Sequence, residues 1–200
     1  MAALSKDEGV QALDHFFDGF HDAVTEGVRD YYRNYGSWAA IHRLTTRRSI
    51  IRDHIVHRLR SDVGEKPGVE VIGKHGTTLF GLVSQFLMKA HLLDKNMSIA
   101  LNQTQHSMNF NENDGAHPAL PAPGFSGTSS LYLGCIPNAN DPLEPQVFLV
   151  CPAGAEPAWH IELKRNQGAV VAEIPAATDD LDREQLVEIP TDIERKKGSE

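Results

Sequence analysis

The spacing of apolar residues changes once along this chain, and that change limits the class of fold it can adopt. Up to about residue 62 the apolar side chains recur at intervals of three and four, the period of an amphipathic helix. After residue 68 they alternate with polar residues or form short runs bounded by Gly, Pro and Asn, which is typical of strands. The sequence therefore predicts an α+β protein whose N-terminal helices pack on a mostly antiparallel sheet.

Two helical stretches are predicted in the N-terminal part. Ser5 and Glu8 form a capping box, in which each side chain accepts a hydrogen bond from the other residue's backbone N–H, and an apolar stripe follows from Val10 to Tyr31. The second helix is expected from about Trp38 to Arg60. Its inward stripe is Trp38, Ile41, Leu44, Ile51, Ile55 and Leu59, and its basic face is Arg43, Arg47, Arg48, Arg52, Arg58 and Arg60.

The β-rich part begins with an alternating run, Val69–Lys74, followed by a predicted tight turn at His75 and Gly76. The long apolar run from Thr78 to Leu93 is either a helix or one bent strand, and periodicity does not decide between them. The strand and turn before it favour a hairpin. Four more strands are expected: Leu131–Ile136, Gln146–Cys151, Ala158–Leu163 and, at the edge, Val170–Ile174.

The negative charge of the chain is concentrated at its C-terminus. The total is −8, and from Glu173 onward nine acids face four bases, a balance of −5 that leaves −3 for the rest. Residues 1–174 are expected to form one domain, helical over 5–62 and β-rich over 68–174, and residues 175–200 an acidic, disordered tail. The acidic total argues against broad binding of nucleic-acid phosphates, while a nearly neutral body permits a local basic patch.

The cysteines and the lengths of the apolar runs bear on the cellular compartment. Cys135 and Cys151 lie in strand-like apolar runs and are expected to be buried thiols rather than a disulfide. The N-terminus has no apolar segment behind a basic start, and the apolar runs fall short of the ~18 residues of a spanning helix. A cytoplasmic protein without membrane contact is therefore predicted.

Two patterns raise the question of a bound metal. His54 and His57 lie three residues apart on the second predicted helix and face the same way, but no third ligand or HExxH motif accompanies them. The order helix, three strands, helix, strand resembles the PD-(D/E)xK nuclease core, yet Lys89 has Leu87 where that motif has its acid. Without carboxylates nothing would hold Mg²⁺, so neither a metal nor a cofactor is predicted.

The best candidate for chemistry is a group of polar residues in a segment that should be half-buried. Lys89 interrupts an apolar run, and a buried ammonium is costly unless an anion meets it. Asn102, Thr104, Gln105 and His106 follow within one short segment. The alternative is that Lys89 extends to solvent and the amides cap a short helix. The basic helix face is likewise either a phosphate-binding surface or a solvated one, whose arginines meet the acidic tail.

Several segments, taken in order, resemble one family. They are Thr46 to His54 (TRRSIIRDH), Phe86 to Leu92 (FLMKAHL), Asn102 to Phe110, and the closing LYLGCIPN, VFLVCP and AWHIEL. This order is similar to an uncharacterised family encoded beside XRE-type repressors that carry an ImmA/IrrE-like metallopeptidase domain, pairs suspected to be toxin–antitoxin or phage-defence modules. The family's basic Arg-Phe-Lys-Lys-Leu patch is reduced here to Lys89, and its Asn-Ile-Pro-Thr-Gln run lacks the proline. The resemblance implies a protein partner and no particular reaction.

The leading hypothesis is a toxin or effector of such a two-gene module, inhibited by an ImmA/IrrE-like antitoxin. Arg47 and Lys89 are expected to meet the anionic group of a nucleotide or RNA, and Asp53 to orient Arg47. The predicted ligand site is Arg47, Asp53, Lys89, Asn102, Thr104 and Gln105. One alternative is a non-enzymatic, antitoxin-like module that binds a protein, or a second copy of itself, through the aromatic first helix. The other alternative is a small-ligand sensor, and no enzyme class is assigned.

Overall fold

Helices occupy the first third of the chain and a sheet most of the remainder, in the α+β arrangement that the sequence predicts. The computed structural model describes residues 4–74, 77–95, 97, 105–113, 128–138, 140–154, 156–165 and 169–170. The acidic tail and two predicted site residues, Asn102 and Thr104, lie outside these ranges.

The first predicted helix forms as two helices in line. The capping box is present, because the Ser5 N–H donates to Glu8 Oε2 at 2.9 Å and the Glu8 N–H donates to Ser5 Oγ at 3.4 Å. A 3₁₀ turn over Asp14–Phe16 separates the two. The helices are α1 (Lys6–Leu13) and α2 (Phe17–Tyr35), followed by α3 (Leu44–Asp62) and, much later, α4 (Gln105–Glu112).

The start of the second predicted helix was wrong. α3 begins at Leu44 and not at Trp38, and the large side chains of Trp38, Ile41 and Leu44 are 57%, 68% and 61% exposed instead of lining the core. The chain has to reverse its direction between α2 and α3, and it does so through a 3₁₀ turn over Gly36–Trp38 and an extended Arg43. Side chains on that reversal cannot reach the sheet.

Seven strands form one sheet in which spatial order equals sequence order. All neighbours are antiparallel except β3 and β4, which run parallel and are joined by the crossover that contains α4. The predicted hairpin of β1 and β2 and the meander β4–β6 are confirmed, but the run from Thr78 to Leu93 forms two strands, β2 and β3, and not one bent strand. The predicted turn at His75 and Gly76 and residues 171–174 of the predicted edge strand lie outside the described residues. The strands are β1 (Val69–Lys74), β2 (Thr77–Leu82), β3 (Phe86–Leu92), β4 (Ser129–Ile136), β5 (Gln146–Ala153), β6 (Glu156–Leu163) and β7 (Ala169–Val170).

Apolar side chains fill both faces of the sheet, unequally. The larger cluster lies between α1–α3 and one face, and includes the α3 stripe Ile51, Ile55 and Leu59. The smaller cluster lies on the α4 side, where Phe110 packs edge-on against Tyr132 with 5.0 Å between ring centroids. Because both faces are covered, the central strands β3, β4 and β5 are buried over most of their length.

A close helix crossing and a buried ion pair fix α3 against α2. Gly27 of α2 lies so near Ile55 that a Cβ there would be 2.8 Å from the Ile55 backbone nitrogen. Three residues further along, Asp30 accepts from Arg58 Nε at 2.7 Å and Nη2 at 3.0 Å, and from Arg33 at 2.8 Å. These contacts set the position of α3 over the sheet, and so of the arginines it carries.

Two asparagines attach the end of α4 to the opposite face. Asn111 Oδ1 accepts from the Tyr132 hydroxyl at 2.7 Å. Asn113 is buried with a left-handed φ of 52°, donates to Pro152 O at 3.0 Å and accepts from the Ser130 N–H at 2.6 Å. None of the helices in the described ranges combines the length and apolar content of a membrane span.

Candidate anion-binding site

α3 presents two neighbouring arginines beside the strand β3. Ile51 points into the core, and Arg48 and Arg52 flank it, four residues apart and hence one above the other on the helix surface. Both arginines are half-buried. α3 packs against β3, the strand that carries Lys89 and His91.

β3 carries two cationic side chains on alternate positions of one face. Met88, Ala90 and Leu92 belong to the core under α2 and α3, whereas Leu87 and Leu93 belong to the cluster on the α4 side. Since side chains alternate across a strand, Lys89 and His91 share the face of Leu87. His91 stacks edge-on against Tyr132 there, with ring centroids 6.0 Å apart.

The sheet opens next to these residues. β2 pairs with β3 from Phe80 opposite Met88 to Leu82 opposite Phe86, and the described register goes no further. β1 and β2 stay paired with each other up to Lys74 opposite Thr77. β2 therefore does not cover the edge of β3 beyond Met88. Side chains from both faces of the sheet come within electrostatic range there.

The pKa values of Lys89 and His91 are affected by that proximity. Burial lowers the pKa of Lys89, and the charge of Arg52 lowers it further. Burial is also the largest cause that lowers the pKa of His91, followed by the charges of Lys89, Arg52 and Arg48, while the hydrogen bond to the Leu92 carbonyl raises it. Arg48, Arg52, Lys89 and His91 thus form one group, called here the cationic cluster.

Among the described residues, the ring of His91 makes one hydrogen bond, through Nδ1. Nδ1 lies 2.9 Å from the Leu92 carbonyl oxygen, which can only accept, so Nδ1 carries a hydrogen. Nε2 is then an acceptor in the neutral ring and a donor in the charged ring. An anion beside Nε2 would favour the charged form.

The charge of Arg52 lowers the pKa of both Lys89 and His91. Asp94 is the acid nearest to them in sequence and is half-buried. The side chain of Asp53 is 69% exposed and accepts from Arg52 at 3.0 Å and 3.3 Å. Arg48, Lys89 and His91 take part in none of the salt bridges among the described residues, and a bound anion would offset the cost of burying their charges. Arginine forks and a lysine are also the groups that proteins use to hold phosphate.

The predicted site residues separate into three sets. Lys89 lies in the cationic cluster, and Asp53 contacts that cluster through Arg52 rather than through Arg47. Arg47 faces the other way, donating from Nη2 to the Ala39 carbonyl at 2.6 Å. Gln105 is the first residue of α4, and its side chain lies, like Asn102 and Thr104, outside what the structure describes.

Three members of the cluster were not among the predicted site residues. Arg48 and Arg52 belong to the basic face of the second helix, as Arg47 does. The sequence does not show which side of that helix meets β3, so it could not distinguish these two arginines from Arg47. His91 could have been predicted from the sequence, because it follows Lys89 by two residues and therefore shares its face in a strand.

Other chemistry finds less support in the described residues. His54 stacks on Tyr35 at 6.2 Å, and no group of three or more His, Cys, Asp or Glu in the described ranges is arranged to hold a metal ion. Cys135 and Cys151 are free and buried, as predicted. Burial raises their thiol pKa values to about 12 and about 11, so neither is a thiolate nucleophile at neutral pH.

Comparison with known proteins gives no relative on which to build. No family model, no curated protein and no solved structure matches this chain.

Proposed function

We propose that this protein binds a small phosphate-bearing ligand, such as a nucleotide, at the cationic cluster. The observation that carries the proposal is that Lys89 and His91 are half-buried on one face of β3, where the positive charge of Arg52 acts on both. A phosphate dianion accepts from several donors at once, as two arginine forks, an ammonium and an imidazole require. A short ligand fits better than a nucleic-acid duplex, because the chain as a whole carries −8.

Ligand binding at this site should be coupled to proton uptake. The pKa values of Lys89 and His91 are lowered in the free protein, and a bound anion favours their charged forms. The affinity should therefore increase as the pH falls through the ordinary titration range of histidine, around ~6.5. Sulfate is a suitable probe, because it stays a dianion over this range.

Thermal unfolding of the full chain with phosphate, sulfate and nucleotides tests the proposal. A ligand at ~100 times its Kd should stabilise the protein by about 2.7 kcal/mol. Lys89→Met should remove that stabilisation, whereas Lys95→Met, at an exposed lysine after β3, should keep it. The proposal fails if no anion stabilises the protein, or if both variants respond as the parent does.

We further propose that the ligand-binding protein is the toxin or effector of a two-gene module with an ImmA/IrrE-like partner. The support is that the resemblance lies partly in TRRSIIRDH and FLMKAHL, and these two segments supply the cationic cluster, Arg48 and Arg52 from the first and Lys89 and His91 from the second. Segments far apart in sequence would then be similar because they build one site.

Induced expression in bacteria tests this role separately. The parent chain should arrest growth, a Lys89→Met copy should not, and co-expression of the neighbouring repressor gene should restore growth. Equal growth with the parent and Lys89→Met copies would contradict the toxin role while leaving ligand binding to be judged from the unfolding experiment.

A further inference from the structure

The reversal between α2 and α3 exposes large apolar side chains in a fixed arrangement. Trp38, Ile41 and Leu44 are more than half exposed, at 57%, 68% and 61%. The loop that carries them is held from both sides, by Arg47 donating to the Ala39 carbonyl at 2.6 Å and by the Tyr31 hydroxyl 2.9 Å from His42 Nδ1. We call Tyr35 to Leu44 the helical tip.

The surroundings of the helical tip are strongly basic. Between Asp30 and Asp53 the chain contains five arginines and no acidic residue. Two such tips would repel each other, so a symmetric contact between copies of the chain is disfavoured. The surface fits an occupant that combines acidic and large apolar residues.

A segment of this chain has that composition. Residues 173–194 hold eight acids and one base, with Leu181, Leu186, Val187 and Ile189 among them. The segment lies outside the described residues. We propose that residues 179–194 dock on the helical tip in the same molecule, with their apolar side chains on Trp38, Ile41 and Leu44 and their carboxylates beside the arginines.

The length of the chain allows the contact. Arg165 lies 3.5 Å from Asp22 of α2, which places the end of the sheet beside that helix. From Asp22 to Tyr35 the helix rises by about 20 Å. The sixteen residues from Val170 to Leu186 span up to about 50 Å when extended, more than twice that rise. Because the segment is tethered, its effective concentration at the tip is high without a large interface.

Spectra of the full chain labelled with ¹⁵N test the proposal, since it has two tryptophans. The indole of Trp159 donates to the Leu4 carbonyl at 2.8 Å and serves as the internal reference for an intact fold. The double change Leu186→Ser and Ile189→Ser should shift the Trp38 indole signal and leave the Trp159 signal in place. Gln185→Ser, within the same segment, is the matched control and should shift neither.

Trypsin cleavage after Arg183, followed by mass spectrometry, gives an independent measurement. The double variant and the tip variant Ile41→Ser should both be cleaved several-fold faster than the parent, because the docked segment is shielded. An unshifted Trp38 signal together with unchanged cleavage would overturn the proposal. A Trp38 signal that depends on protein concentration would overturn it in favour of a contact between two copies.

Discussion

The crossing of α2 over α3 leaves no space for a side chain at Gly27, and Gly27→Ala tests how α3 is held. A Cβ at this position would lie 2.8 Å from the nitrogen and Cγ1 of Ile55 and 2.9 Å from its Cα. Two of these three atoms belong to the backbone, so no rotation of a side chain relieves the overlap. The two helices have to move apart.

Two effects of opposite sign determine the size of the change. Alanine inside a helix is more favourable than glycine by ~1 kcal/mol. Overpacking a fitted contact costs ~1–3 kcal/mol, and a backbone clash belongs at the upper end of that range. The expected net loss is ~1–2 kcal/mol in the free energy of unfolding. For a chain of this size that lowers Tm by about 2–8 °C.

Gly19→Ala on the same helix is the matched control. Its Cβ would meet Lys66 Nζ at 3.1 Å and Val63 Cγ2 at 3.3 Å, which are side-chain atoms that can yield. This variant should be as stable as the parent or more stable, because only the propensity gain remains. Urea unfolding of both variants gives the two free energies of unfolding to be compared. Equal stability of Gly27→Ala and Gly19→Ala would refute the packing argument.

Three further changes should be measured by the same unfolding assay. Asp30→Asn removes the negative charge to which Arg58 donates two hydrogen bonds, and it should lower the free energy of unfolding by ~1–2 kcal/mol near neutral pH. Arg58 lowers the pKa of Asp30 below its ordinary value of ~4. The difference in unfolding free energy between the parent and Asp30→Asn should therefore be complete above pH ~4, and it should disappear at lower pH as Asp30 becomes protonated. Lys89→Met should stabilise the free protein slightly, by up to ~1 kcal/mol, and raise the pKa of His91 in NMR titrations. Asn113→Ala should cost ~2–3 kcal/mol, because it removes the hydrogen bonds of a buried amide side chain and puts alanine at positive φ.

The spacing of apolar residues was enough to predict which side chains of the N-terminal helices are buried. Ile51, Ile55 and Leu59 recur every four residues and are all buried on α3, and the capping box at Ser5 forms as the sequence indicates. Periodicity failed for Trp38, which continues the same stripe but lies on the chain reversal. A stripe shows which side chains would share a helix face, but not where the helix has to stop to let the chain turn back.

The candidate site was predictable only in part, for a geometric reason. Lys89 stands out locally, because it interrupts an apolar run that becomes a buried strand. Its neighbours depend on the rotation of α3 about its axis, since adjacent positions such as Arg47 and Arg48 differ by about 100° around a helix. They depend as well on β2 leaving β3 after Met88, which no local pattern indicates.

The position of the cationic cluster in the sheet argues that it is kept for a function. β3 is a central strand with both faces covered, and such strands usually read as continuous apolar runs. Lys89 and His91 break that rule at two positions of one face, and the charge of Arg52 acts on both. Natural sequences depart from local consistency mainly where a function requires it. Arg58 is paired with Asp30 and Arg52 with Asp53, whereas no salt bridge among the described residues involves Lys89, and a site for an exchangeable anion requires such a cation.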